Sequence, residues 1–287
     1  MRAAALPAAA LTLSLSGCSL NTLALRTTTG LMEKGAAAYH EEPDTQLAKE
    51  AIASQLKFVE ALLRSEPGNA KLLLLSAEAF AGYTFLYVED AAPARAKELY
   101  VRGRDYGLRA LARHPALSGA ADQPLEAVEQ ALAKAEKPDA PALFWSAFAW
   151  SGAINLSRDS AAAVADLPKA VAKMKRAWEL DKEFHFGGPD LFFGVYYASR
   201  PAMLGGDNAK AKTHFEWARR LTAGKYLMAY VLEARYYAVA VQDRELFTAL
   251  LTRVKDSPAG ALPGARLTDE IAKEKAAALL EKADDLF

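Results

Sequence analysis

The sequence predicts an all-α protein built as an array of antiparallel helical hairpins, and three observations predict it. Alanine and leucine are abundant while β-branched residues are sparse, which favours helix along nearly the whole chain. No run alternates β-branched with polar residues, so no segment asks to be a strand. Turn chemistry recurs at intervals that suit helices of about 10–22 residues: "EEPD", "SEPGN", "EDAAP", "RHPALSG", "EKPDAP", "FGGPD", "LGGDN" and "SPAGALPG".

These breaks delimit the elements in order. A first helix at 30–39 follows an irregular leader. The next, 45–64, opens at Asp44, whose side chain can cap the free amides of the first turn, with Pro43 just outside and Pro67 ending it. Helix 69–88 opens at Asn69 and holds the run "LLLLSAEAF", which Glu78 interrupts before it reaches the ~18 residues of a membrane span. Helix 92–113 is capped by Asp90, 121–135 follows "RHPALSG", and 139–157 opens at Asp139 with the aromatic stretch "ALFWSAFAWSGAIN". Helix 167–180 precedes 189–199, where Pro189 near the start has no amide to lose. Asp207 caps 208–222, and 225–241, 243–255 and 266–285 complete the chain. In the last, "DEIAKEKAAALLEKADD" alternates charge as solvated i,i+4 pairs do.

A pattern recurs within the helices: small, large four residues on, small three after that. Ala96, Tyr100 and Gly103 carry it, as do Ala170, Met174 and Ala177, and Ala211, Phe215 and Ala218, with Gln55, Val59 and Leu62 a looser instance. Small residues let helices approach closely while the large one fills the gap, the design of a tetratricopeptide repeat (TPR). The first helices of the pairs agree, with Trp145, Phe148 and Ala149 in one and Phe193, Gly194 and Tyr197 in another. Equivalent positions lie farther apart than the ~34-residue TPR period, so the array is a divergent TPR-like superhelix with extended helices.

The N-terminus has its own signature. Arg2, an apolar stretch to residue 15 and the small residues before Cys18 form a secretion signal too short to span a bilayer. "LSGC" resembles the bacterial lipobox, in which cleavage before the cysteine exposes it to diacylglycerol. Cys18 is the one cysteine of the chain, so it has no disulfide partner and no companion ligand for a zinc site. The chain therefore divides into a signal peptide at 1–17, the lipidated Cys18 with a tether to residue 30, and a helical domain at 31–287. Ser19 stands where aspartate is the enterobacterial inner-membrane retention signal, which favours the outer membrane and a periplasmic protein.

Composition narrows the function. Hydrophobic residues make up 52% and charged residues 24%, a folded profile. Thirty-five basic residues balance 35 acidic ones, so no basic excess serves nucleic-acid binding. His40, His114, His185 and His214 are scattered, with no HExxH spacing, nucleophile elbow, Walker loop or dinucleotide fingerprint. Gly187-Gly188 and Gly205-Gly206 could offer amides to an anion, but helix-ending glycines of positive φ explain them more simply. The sequence implies no enzyme, no cofactor and no metal.

The segment "FGGPDLFFGVYYASRPAMLGGDNAKAKTHFEWARRL", residues 186–221, resembles the TRAP-transporter-associated TPR lipoproteins called TatT. "LAKEAIASQLKFVEALLRSEPGNAKLLLLSAEAFAGYTFLYVED" and "ARAKELYVRGRDYGLRAL" extend the likeness to the N-terminal half. The resemblance implies a periplasmic lipoprotein that assembles as a homotrimer, partners a TRAP substrate-binding protein, and holds or relays a small apolar or organic-acid ligand through a cleft or pore. The aromatic stretches around 144–150 and 192–197 suit such a cleft. Trp150 and Tyr197 are expected as apolar walls, with Asn155, Tyr196 and Arg200 as polar contacts, the arginine facing a carboxylate. The alternative is a TPR scaffold for outer-membrane protein assembly, which needs no internal cavity.

Overall fold

The computed structural model describes Gly30, Gly35 and residues 37–287. The signal segment 1–17, Cys18, the tether up to residue 29 and half of the helix expected at 30–39 lie outside the described residues; residues 37–40 are helical. The described residues are helical throughout their regular structure. The long helices are α1 (Thr45–Ser65), α2 (Ala70–Tyr83), α3 (Pro93–Leu111), α4 (Leu125–Leu132), α5 (Ala140–Asn155) and α6 (Leu167–Leu180). They continue as α7 (Phe184–Ala198), α8 (Asn208–Leu221), α9 (Leu227–Leu232), α10 (Arg244–Asp256) and α11 (Arg266–Glu281).

Three of the five expected caps act as caps. Asp44 Oδ1 accepts from the amides of Gln46 and Leu47 at 3.0 Å, Asn69 Oδ1 from Lys71 and Leu72, and Asp207 Oδ1 from Lys210. Asp139 instead accepts from the Glu136 amide at 2.9 Å and closes a 3₁₀ turn just before α5. Asp90 caps nothing: α3 starts at Pro93 without a side-chain cap, and Asp90 pairs with Arg235 at 2.8 Å and with Lys275. A carboxylate beside two cations is better satisfied across the molecule than by local amides.

Other differences are local. Helix 121–135 shrinks to α4 because Ala120–Asp122 forms a 3₁₀ turn first, and a one-turn helix, Ala161–Ala165, was not expected. Helix α2 runs straight into a π-helical stretch, Thr84–Val88, and α9 into another, Glu233–Ala238. Regular helix in α7 begins near Pro189, because His185, Phe186 and Gly187 have φ of 48°, 61° and 77°, a left-handed turn. Ala70–Val88 is long and apolar enough to qualify as a membrane span despite Glu78. In the fold this stretch is an interior helix: Lys71 alone is exposed, and α1, α3 and α5 pack around it.

Consecutive helices pack side by side, α1 on α2, α2 on α3, α3 on α5, α5 on α6, and α7 on α8. The small–large–small sets lie at these contacts. Ala96, Tyr100, Ala170, Met174, Ala177, Ala211, Phe215 and Ala218 are all buried. Glycines seat the large members: a Cβ at Gly152 on α5 would stand 2.7 Å from the Tyr100 ring, and one at Gly194 on α7 would stand 2.9 Å from Phe215. One hydrophobic core groups residues of α2, α3 and α4–α7, and a second groups α8–α11 with Leu191 of α7. The two ends of the array meet where Thr45 Oγ1 donates to Glu274 Oε1 at 2.6 Å.

Candidate functional site

Between the two cores lies a cavity of about 210 Å³, and its wall explains several local oddities. Helices α2, α5, α7, α9 and α11 face it, with two residues of α1, Tyr100 of α3, and Tyr39 and His40 from the N-terminal segment, whereas α4, α6, α8 and α10 contribute none. Both π-helical stretches reach it, through Phe85 and Leu86 in one and Tyr236 in the other. A π turn widens the helix and is commonly retained at functional sites. Gly82, inside α2, also lines the cavity, and a Cβ there would meet nothing within 4 Å. A glycine that lowers helix propensity while leaving room beside it keeps the cavity open.

The wall is mostly apolar, built on Trp145, Phe148, Phe192, Leu191 and Met228. Polar groups gather toward its two ends. Along α7 the wall runs from Gly188 to Tyr196, and it continues past the helix end through Ser199 to Arg200. At the Arg200 end the guanidinium packs over the Tyr196 ring at 4.1 Å, and Nη1 donates to Tyr196 O at 2.9 Å and to Ser199 Oγ at 3.3 Å. Burial lowers its proton affinity, and no carboxylate among the described residues lies within ion-pair distance. Asn155 stands on the same wall, with Ser151 one turn back, whose buried Oγ makes no hydrogen bond among the described residues. Glu89 is raised by burial although the Tyr100 hydroxyl donates to it.

At the other end Glu78 faces His40 at 4.0 Å, and burial pushes its carboxyl up to about 7. Burial lowers His40, and it lowers His185, whose ring packs edge-on against Trp145 at 4.8 Å, to about 4. Both imidazoles are therefore neutral near pH 7. The left-handed turn at 185–187 aims His185 and Phe186 into this end.

Of the residues singled out in the sequence, Asn155, Tyr196 and Arg200 stand together on the cavity wall. Trp150 and Tyr197 do not. Trp150 is buried behind the wall with Ile154 and Ala170, under Arg104. Tyr197 stacks on His214 at 5.7 Å, and His214 Nδ1 lies 2.6 Å from Asp190. Helical geometry accounts for the split: at 3.6 residues per turn, positions 148, 152 and 155 share one face of α5 and 192, 196 and 199 one face of α7, leaving 150 and 197 on the far sides. Glu78, His40 and His185 were missed as site residues. The available signal was a lone carboxylate inside an otherwise apolar helix. The amides of Gly187, Gly205 and Gly206 bond to backbone carbonyls, and the first two have φ of 77° and 86°, as helix-ending glycines do. Among the described residues no group of three or more His, Cys, Asp or Glu could hold a metal ion.

A family model described as "TRAP transporter T-component" matches residues 41–287. The chain is also similar to an uncharacterized protein of Treponema pallidum (strain Nichols), 25% identical over 267 residues that cover 87% of this chain and 82% of that protein.

Proposed function

The chain belongs to the TRAP transporter T-component family, and from that premise we propose that it is a non-catalytic, periplasmic accessory subunit that binds the transporter's substrate-binding protein and holds a small amphiphilic ligand in its cavity. TRAP systems are tripartite, ATP-independent periplasmic importers, so an accessory subunit has no nucleotide to hydrolyse. The observation that carries the reading is the apolar cavity ending at an arginine that has no carboxylate partner among the described residues. Apolar walls accept a hydrocarbon or aromatic body, and a desolvated guanidinium selects a carboxylate at its end. A scaffold for outer-membrane protein assembly has no use for such a cavity.

Lipidation at Cys18 anchors the subunit to the membrane, the outer one given Ser19, in this proposal. Several acyl chains give a lasting hold at roughly 0.8 kcal/mol per buried methylene. Assembly as a homotrimer finds support in α1, where Leu47 and Phe58 are 53% and 51% exposed on one face, three turns apart. Sedimentation velocity on the form starting at Ser19, alone and with the TRAP substrate-binding protein of the same genome, tests both associations. A trimer that takes up the binding protein is expected, and a monomer that ignores it overturns both.

A further inference from the structure

Glu78 is the least provided-for group in the cavity. Among the described residues its carboxyl receives no hydrogen bond, and its one charge-capable neighbour within ion-pair distance is His40, at 4.0 Å, itself disfavoured as a cation by burial. The other ionisable groups on the surrounding wall are His185 of α7 and the phenols of Tyr39, Tyr83 and Tyr226. The wall residues of α1, α5 and α11 bring none, and Glu89, Arg200 and the phenols of Tyr100, Tyr196 and Tyr236 belong to the far end. An unpaired carboxylate facing apolar surface is costly, because desolvation penalises the charged form and nothing repays it.

We propose that Glu78 couples ligand binding to proton uptake, the apolar body of the ligand packing against it in its neutral acid form and being released when it ionises. The proposal rests on the cavity being the ligand site. Two features of the geometry support it. The carboxyl stands in the wall beside Ala79 and Ile52, where an apolar occupant removes its remaining water. With both histidines neutral, no cation among the described residues is positioned to hold the charged form in place. The ligand is thereby assigned an orientation, with its acidic group toward Arg200 and its uncharged body toward Glu78.

The linkage has a definite sign. Burial in the cavity pushes the Glu78 carboxyl up to about 7 while 35% of its side chain stays accessible, which leaves water for an occupant to remove. An apolar occupant raises the carboxyl further, so binding takes up a proton. Affinity is full below that pH and falls as pH rises, by up to about tenfold per pH unit while the bound form stays protonated.

The probe is N-phenylnaphthylamine, an uncharged apolar fluorophore, titrated between pH 6 and pH 9. For the wild-type protein its dissociation constant is expected to rise steeply above about pH 7. Glu78→Gln, which keeps the shape and cannot ionise, is expected to bind equally across the range, and His40→Asn is expected to keep the slope. Calorimetry of the wild-type protein at pH 8, in two buffers of different ionisation enthalpy, counts the protons directly, and uptake approaching one per probe is expected. Wild-type binding independent of pH, a Glu78→Gln protein that keeps the slope, or zero uptake overturns the coupling and leaves the cavity reading standing. No probe binding to any variant at any pH overturns the cavity reading and the coupling with it.

Discussion

Among the described residues, Arg200 is placed by neighbours that leave its charge uncompensated: a carbonyl, a hydroxyl and a tyrosine face. A hydrogen bond to a charged partner contributes about 1.5–3 kcal/mol, which is roughly a ten- to hundredfold change in affinity. Arg200→Ala should therefore weaken binding of dodecanoate by at least about tenfold and leave N-phenylnaphthylamine unaffected, as read by calorimetric titration. Arg200→Lys should recover part of the loss, because a point charge replaces a planar fork. Gly82 gives a complementary prediction. Leucine there has open space and gains about 1 kcal/mol of helix propensity, so Gly82→Leu should raise the melting temperature while abolishing probe binding. Residue by residue, Asn155, Tyr196 and Arg200 of the expected set line the cavity, and Trp150 and Tyr197 stand outside it. Aromatic clustering told which helices matter, but the faces of α5 and α7 are decided by neighbours distant in sequence. Glu78 was visible as an interruption of "LLLLSAEAF", and its role depends on a cavity that no local pattern encodes.

The helices themselves were legible, because alanine and leucine richness, turn residues and short-oxygen caps all act locally. The π-helical stretches were not, since each depends on tertiary contacts that override a continuous helical pattern; the turn at 185–187 falls at the break "FGGPD", and the sequence left unforeseen only that His185 and Phe186 share the positive φ of Gly187. Element contacts yield their own tests. Glu60 joins α1 to α3: Lys57 at 2.6 Å, Arg102, and the Tyr106 hydroxyl at 2.7 Å all donate to it. Burial alone would raise this carboxyl, but those donors hold it down at about 2. A depressed carboxyl stabilises the fold above its unfolded value near 4.3, and that contribution is lost as pH falls toward 2. Glu60→Gln should lower the melting temperature at pH 6, and that difference should shrink to roughly half by pH 3 and go on falling toward pH 2. Gly107 shows how closely the same layers approach. A Cβ there would stand 3.0 Å from the Ser146 backbone, so Gly107→Ala must push α3 from α5, at about 1–3 kcal/mol in denaturant titrations.

At the scale of the whole molecule, a cavity between two cores makes ligand and stability one problem. Any occupant at a hundredfold its dissociation constant stabilises the protein by about 2.7 kcal/mol. Melting curves should rise with probe concentration in the wild-type protein and stay fixed in Gly82→Leu. The turn that follows Arg200 has a different kind of consequence. Pro201 O accepts from the amides of both Leu204 and Gly206, and a Cβ at Gly206 would collide with Arg200 O, so the turn is tightly closed. It carries Met203 with 89% of its surface exposed, whereas Met174 and Met228 are buried at 0% and 1%. A thioether in water is oxidised by peroxide to the sulfoxide, and one inside a core is shielded. Brief peroxide treatment followed by peptide mass spectrometry should therefore find oxygen added at Met203 well before Met174 or Met228. The arginine end of the cavity thus comes with its own chemical reporter, which falls silent when another protein sits over it.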